Sequence, residues 1–292
     1  MKALVLGGTG TVGSQVVREL MARNVDVTVL TRNAEKQASL PPGVHGVVGD
    51  LLDPGTVRTV FRGMDAVFLL TALSPSEANE GLMAVNGARM AGVKRIAFLS
   101  IHHVDLAPHL PHFGAKLPIE IAIKASRVPY TILRPNNFYQ NDSWFKDVIT
   151  QYGVYPQPLG SVGISRVDVR DIAEVAALAL TQGSLDGQTV NLVGPEALTG
   201  PQTAAIWSKV LGRAVAYAGD DMDAWEKQTL QYMPAWAAFD FRLMYEFFQR
   251  EGLKATREDI ERQTKITGKA PRAFEDYARE TARAWAPSGV TA

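Results

Sequence analysis

The 292-residue chain has no cysteine, which excludes disulfides, thiolate nucleophiles and cysteine-ligated metal centres. It has no net charge either, because 30 Lys and Arg residues balance 30 Asp and Glu residues. That balance leaves no bulk electrostatic footprint for a nucleic acid, and no direct nucleic-acid binding is expected. No apolar run approaches the ~18 residues that a membrane helix needs. Strand-like sequence starts at once, without space for a leader, so a cytoplasmic location and no membrane partner are expected. Histidine is scarce, and four of the five lie between residues 102 and 112. Adjacent His102 and His103 cannot easily face one ion from an extended chain, and the spacing of 103, 109 and 112 fits no standard zinc pattern, so no metal site is expected.

What is present is an ordinary globular composition, 46% hydrophobic and 21% charged, in a chain long enough to bury a large core. Residues 1–32 organise the rest. A short apolar run, residues 3–6, enters the turn Gly7-Gly8-Thr9-Gly10-Thr11-Val12-Gly13. Val12, Val16, Val17 and Leu20 then follow helical spacing, and Val25, Val27 and Val29 return to period two. Strand, glycine turn, helix and strand make one βαβ unit with a dinucleotide cradle. The glycines admit a pyrophosphate close to the backbone, and the helix-start N–H groups receive its oxygens. The turn fits a G-x-G-x-x-G at Gly8, Gly10 and Gly13 and a G-x-x-G-x-x-G at Gly7, Gly10 and Gly13.

The second strand ends in Leu30-Thr31-Arg32-Asn33, without the acid that accepts from the ribose 2′-hydroxyl in NAD sites. Arg32, assisted by Thr31, Asn33 and Lys36, suits a 2′-phosphate, so NADP(H) is expected over NAD(H). Further strands are expected at 44–48, 66–70, 94–100, 130–133 and 188–193, with helices at 56–61, 77–91 and 117–126 between them. The alternation predicts an α/β, Rossmann-type doubly wound parallel sheet. Residues 1–140 form its core; residues 141–292 complete the sheet (about 160–195) and add a smaller, mostly helical substrate lobe (about 199–286). Residues 144–152 are expected to be helical and residues 214–217 a further strand, and the aromatic stretch 225–248 builds the core and rim of the lobe.

At the carboxyl edge of the sheet, Asp50 and Leu51 lie where an adenine would rest, and Asp53 before Pro54 reads as a helix cap. Thr71, Ala72 and Leu73 run beside the cofactor, and Pro135, Asn136, Asn137 and Phe138 border the nicotinamide. Asp168, Arg170 and Asp171 read as bracing for the helix that follows them.

With the glycine turn, Asp50, the Thr71 edge, Ser100, Lys116, Thr131-Ile132-Leu133-Arg134-Pro135 and Val167-Asp168-Val169-Arg170-Asp171-Ile172-Ala173 in this order, the chain resembles the NmrA-like atypical short-chain dehydrogenases over nearly its whole length. The segment Gly268-Lys269-Ala270-Pro271-Arg272-Ala273-Phe274-Glu275-Asp276-Tyr277 is similar to the family's C-terminal end. The resemblance implies NADP(H) and either of two roles. One is a reductase of a small, apolar, electron-poor quinone, enone or dye; the other is a non-catalytic NADP(H) sensor that acts on a protein partner. Classical short-chain enzymes use a Ser, a Tyr and a Lys four residues after the Tyr. Here Ser100 and Lys116 are present, but His112 stands four residues before Lys116. The catalytic candidates are therefore Lys116, which isoflavone reductase-like relatives use without the tyrosine, His112 as a proton donor near neutral pH, and Ser100.

Overall fold

The computed structural model describes residues 1–286; positions 287–292 of the expected second segment lie outside the described residues. The chain divides into two compact units: Met1–Pro135 with Val169–Leu192, and Asn136–Asp168 with the chain from Val193 onward.

The first unit alternates strictly. β1 (Lys2–Leu6), α1 (Thr11–Ala22), β2 (Asp26–Thr31), α2 (Ala34–Ala38), β3 (His45–Val48) and α3 (Pro54–Val60) are followed by β4 (Ala66–Leu69), α4 (Glu77–Met90) and β5 (Arg95–Leu99). After α5 (Pro111–Gly114), α6 (Lys116–Ala125) and β6 (Tyr130–Pro135), the chain enters the second unit with a 3₁₀ segment at Tyr139–Phe145, α7 (Lys146–Gln151) and β7 (Val154–Tyr155). It returns to the first as α8 (Val169–Thr181) and β8 (Gln188–Leu192).

Among the described residues β1–β6 and β8 form one seven-stranded sheet in the order β3-β2-β1-β4-β5-β6-β8, parallel throughout. The pleat sorts its side chains into two cores. Leu4 and Leu6, Val67 and Leu69, Ile96 and Phe98, and Ile132 join the cluster built by α3, α4 and α6. Their neighbours in the alternation, such as Val5, Val29, Phe68 and Leu133, are equally buried, on the face covered by α1 and α8. Both faces are dry, which is why β4 reads as unbroken AVFL. The strand order reverses between β1 and β4, so the turns leaving these two strands flank the crevice in which doubly wound sheets bind ligands.

The second unit is mostly helical: α9 (Gly200–Leu211), β9 (Ala216–Tyr217), α10 (Met222–Thr229), α11 (Ala235–Glu251), α12 (Arg257–Thr267) and α13 (Phe274–Trp285). The strand expected at 214–217 shortens to β9 and pairs with β7 in a separate two-stranded sheet. The helix expected at 144–152 is likewise split, a 3₁₀ segment preceding α7. The first of its turns holds Asp142 in a buried network of Arg166, Tyr155, Gln157 and Trp207. Two short helices, α2 and α5, fall where the hydrophobic pattern shows no period. α2 is started by the cap of Asn33, whose side chain accepts from the Lys36 N–H at 3.0 Å, and α5 by Pro111 at its first position.

Candidate functional site at the strand ends

The turn after β1 has the geometry of a phosphate cradle. Gly7 has φ +72°, and the Gly10 N–H closes the turn on the Gly7 carbonyl at 2.9 Å. A Cβ at Gly13 would lie 2.1 Å from the Gly7 oxygen, and one at Gly8 would lie 2.7 Å from Val29 Cγ2. Gly13 thus lets α1 pack directly on the turn, the close helix–strand approach that the last glycine of such a fingerprint provides. The helical ladder opens only with the Ser14 N–H to the Gly10 carbonyl at 3.0 Å. Gly10 offers no side-chain cap and the first turn of α1 holds no acid, so the N–H groups of Thr11, Val12 and Gly13 suit an anion. These residues fit a dinucleotide pyrophosphate.

Arg32 and Asn33 leave β2, next to β1. The Arg32 side chain is exposed, with its guanidinium 3.9 Å from the buried carboxylate of Glu80. Asn33 spends its carbonyl on the cap of α2, and its N–H is 3.3 Å from the Thr31 hydroxyl. Asp50 leaves β3 and accepts from the Leu52 N–H at 2.8 Å, with Leu51 buried beside it. Asp53 caps α3, accepting from the N–H groups of Gly55 at 3.1 Å and Thr56 at 2.8 Å. Those donors, Thr56 foremost, hold its carboxyl below the ordinary value.

Lys116 opens α6 and is buried. Its ammonium donates to the Thr71 hydroxyl at 2.9 Å and pairs with the carboxylate of Glu77, while the Thr71 hydroxyl donates to the same carboxylate at 2.8 Å. Phe98 lies below the ammonium, 5.8 Å from it. Thr71 is thereby joined to Lys116, whereas Ser100 belongs to a second cluster. Its hydroxyl donates to Glu120 at 2.6 Å, and Arg134 clamps that carboxylate at 3.0 and 2.8 Å and reaches Asp105 at 2.6 Å. His112 lies on α5, half-buried, edge-on to Phe113 with ring centroids 4.8 Å apart. His102 is buried against His103, whose φ is +55°. Among the described residues no group of three or more His, Asp or Glu side chains is placed to hold a metal ion.

In the second unit, Asn136 and Asn137 are held through their side-chain amides. Asn136 donates to the Leu253 carbonyl at 2.8 Å and accepts from the Asn137 N–H at 2.8 Å. Arg166, buried to 1% exposure, donates to Asn137 at 3.2 Å and to the Phe138 carbonyl at 2.8 Å, and it is neutralised by Asp142 at 2.5 Å.

Three acids that sequence reasoning passed over, Glu77, Glu80 and Glu120, are each buried. Glu77 and Glu80 lie in the first turn of α4, where acids suit the helix N-terminus. Their burial was the missing information, and the one available signal was the run Ser74-Pro75-Ser76 ahead of them. Ser74 and Ser76 donate to Glu80 at 3.1 and 2.7 Å.

The NmrA-like family model matches residues 1–278. The chain belongs to the NmrA-like family. It is 32% identical over 286 residues to an NAD(P)H azoreductase of Xenophilus azovorans, covering 97% of this chain and 98% of the relative. A (4-alkanoyl-5-oxo-2,5-dihydrofuran-3-yl)methyl phosphate reductase of Streptomyces griseus is 34% identical over 286 residues, covering 97% and 99%. In fold, the chain is similar to the NADPH-dependent quinone oxidoreductase of Escherichia coli complexed with NADPH, with a TM-score of 0.84 at 24% identity over 96% of this chain and 99% of that one. The triphenylmethane reductase of a Citrobacter species complexed with NADP(H) gives 0.83 at 24% identity, over 96% and 99%.

Proposed function

We propose that the chain is an NADP(H)-dependent reductase of a small, apolar, electron-poor acceptor of the quinone, enone or dye type. The observation that carries this reading is the Gly7–Gly13 turn, which leaves no room for a Cβ at Gly13 and presents uncapped helix-start donors. The azoreductase and the dihydrofuran phosphate reductase, both matching nearly end to end, support the same reaction class.

The nicotinamide supplies a hydride when bound, and reduction of a quinone or enone takes up a proton as well. Gly7, Thr9 and Gly10 shape the turn, and the N–H groups of Thr11, Val12 and Gly13 hold the pyrophosphate. Arg32, backed by Asn33, takes the 2′-phosphate in place of a ribose-binding acid. Asp50 and Leu51 border the adenine, Thr71, Ala72 and Leu73 run along the cofactor, and Pro135, Asn136, Asn137 and Phe138 border the nicotinamide. Lys116 holds the nicotinamide ribose and polarises the acceptor oxygen, while His112 donates the proton that a tyrosine gives in classical relatives. For Ser100 to touch the substrate, its hydroxyl has to exchange Glu120 for the acceptor oxygen. The second unit is the proposed substrate lobe, and Leu230, Tyr232, Trp236 and Phe239 are among its exposed apolar side chains. The location proposed is cytoplasmic.

Titration with NADPH and NADH by nicotinamide fluorescence, followed by a quinone, enone and azo-dye panel, tests the reading. Tighter NADPH binding with acceptor-dependent oxidation is expected. His112 in the tyrosine position favours a second reading, a redox sensor acting on a protein partner. That reading requires unequal affinities for NADP⁺ and NADPH without turnover of any acceptor.

A further inference from the structure

Lys116 is a buried ammonium whose neighbourhood the dinucleotide does not explain. Its side chain is 9% exposed and that of Glu77 3% exposed, and the Thr71 hydroxyl bridges the two, accepting from Lys116 at 2.9 Å and donating to Glu77 at 2.8 Å. Burying two full charges is costly, and a well-packed apolar pair of the same volume often stabilises a fold as well or better. The N-terminus of α4 accounts for an acid in its first turn but does not require its burial, because the macrodipole also favours an exposed carboxylate there. What the arrangement does provide is a lysine whose ammonium is held by two polar partners, the Thr71 hydroxyl and the Glu77 carboxylate. A lysine that must meet a ribose hydroxyl or a developing oxyanion gains from such fixing, since its four-carbon stem otherwise spreads the charge over many positions.

We infer that Glu77, with Thr71 as the bridge, is the positioning residue for Lys116. Glu77 acts through Lys116 alone: it holds the ammonium in place by the ion pair and the shared Thr71 hydroxyl. This rests on the reductase reading and on the role of Lys116 within it. It also sets Glu77 apart from Glu80, which faces Ser74, Ser76 and Arg32 and lies in the same turn.

The test compares the wild type with Glu77→Gln, Glu77→Asp, Lys116→Ala and the double variant Glu77→Gln/Lys116→Ala. It measures kcat, KM and NADPH affinity, and it reads acylation of Lys116 by a lysine reagent through mass spectrometry. Circular dichroism confirms that each variant is folded, and Glu77→Asp serves if Glu77→Gln is not. The expected result is a kcat lowered about 10- to 100-fold in Glu77→Gln, with NADPH affinity within about twofold of wild type and partial recovery in Glu77→Asp. The double variant is expected to be no worse than Lys116→Ala alone, because two residues acting as one unit do not add. Lys116 is expected to acylate several-fold faster once Glu77 is neutral, whether or not an acceptor is known. An unchanged labelling rate, a raised kcat in Glu77→Gln, or losses that multiply in the double variant would overturn the inference. Absence of turnover in the wild type would instead remove the reductase reading, and the labelling rate would still decide whether Glu77 holds Lys116.

Discussion

Arg32 is the residue on which cofactor choice turns. Its guanidinium is exposed just past the end of β2, a strand end that carries no acid of its own, and lies 3.9 Å from the carboxylate of Glu80. Arg32→Ala is expected to weaken NADPH binding about 10- to 100-fold, the value of one or two charge-assisted hydrogen bonds, and to leave NADH binding nearly unchanged. Parallel fluorescence titrations check this, and an equal loss for both cofactors would contradict it. Lys116→Ala is expected to lower kcat by at least about 100-fold, with a smaller loss of NADPH affinity from the ribose contact. In the sequence, the position of Lys116 is marked by the resemblance alone. The partners of Lys116 were not legible, since nothing in a single sequence tells that Glu77 turns inward from the first turn of α4, or that Ser100 is engaged by Glu120 from the facing helix. Burial and long-range pairing are properties of the packed sheet and its helices.

At the scale of elements, local chemistry was readable where it was self-contained: Asp53 before Pro54 reads as a cap, and it caps α3. Thr199 caps α9 through a reciprocal box with Gln202, the hydroxyl accepting at 3.2 Å and the amide oxygen at 2.9 Å. Thr199→Ala is expected to cost about 1 kcal/mol, read as a lower Tm with unchanged activity. The glycine turn was equally plain, and its packing now gives it a sharper consequence. Gly13→Ala places a methyl 2.1 Å from the Gly7 carbonyl oxygen, a backbone atom that cannot give way without moving the turn. Loss of measurable NADPH binding and a Tm lowered by several degrees are expected; full binding in this variant would mean that the turn is not the cradle. Where elements lacked a period, the sequence was silent. α2 and α5 are single turns set by Asn33 and Pro111, and the 3₁₀ segment before α7 carries Asp142, which is buried in an ion pair with Arg166.

For the whole molecule, the strict alternation of buried strands with helices made the parallel sheet legible, because a strand covered on both faces reads as a continuous apolar run. The second unit offered no such rhythm, and its centre is a polar network that only the folded chain assembles. Burial there pushes the phenols of Tyr155, Tyr245 and Tyr277 above their ordinary value of 10.0. Below pH 10 these phenols are neutral both folded and unfolded, and their contribution to stability is complete. As pH rises past 10 the unfolded chain ionises first, so stability falls until the folded values are reached. Alkaline unfolding followed by tyrosinate absorbance is expected to be less steep in Tyr245→Phe, whose hydroxyl makes a long 3.3 Å bond to Gln157. An unaltered pH dependence would contradict this. The most direct test of the reductase reading is the steady-state oxidation of NADPH, followed at the nicotinamide absorbance with a quinone or azo dye as acceptor, in wild type and Lys116→Ala side by side. Acceptor-dependent turnover in the wild type that collapses in Lys116→Ala is the expected result. Tight NADPH binding with no turnover on any acceptor would contradict the reductase and leave a redox sensor in its place.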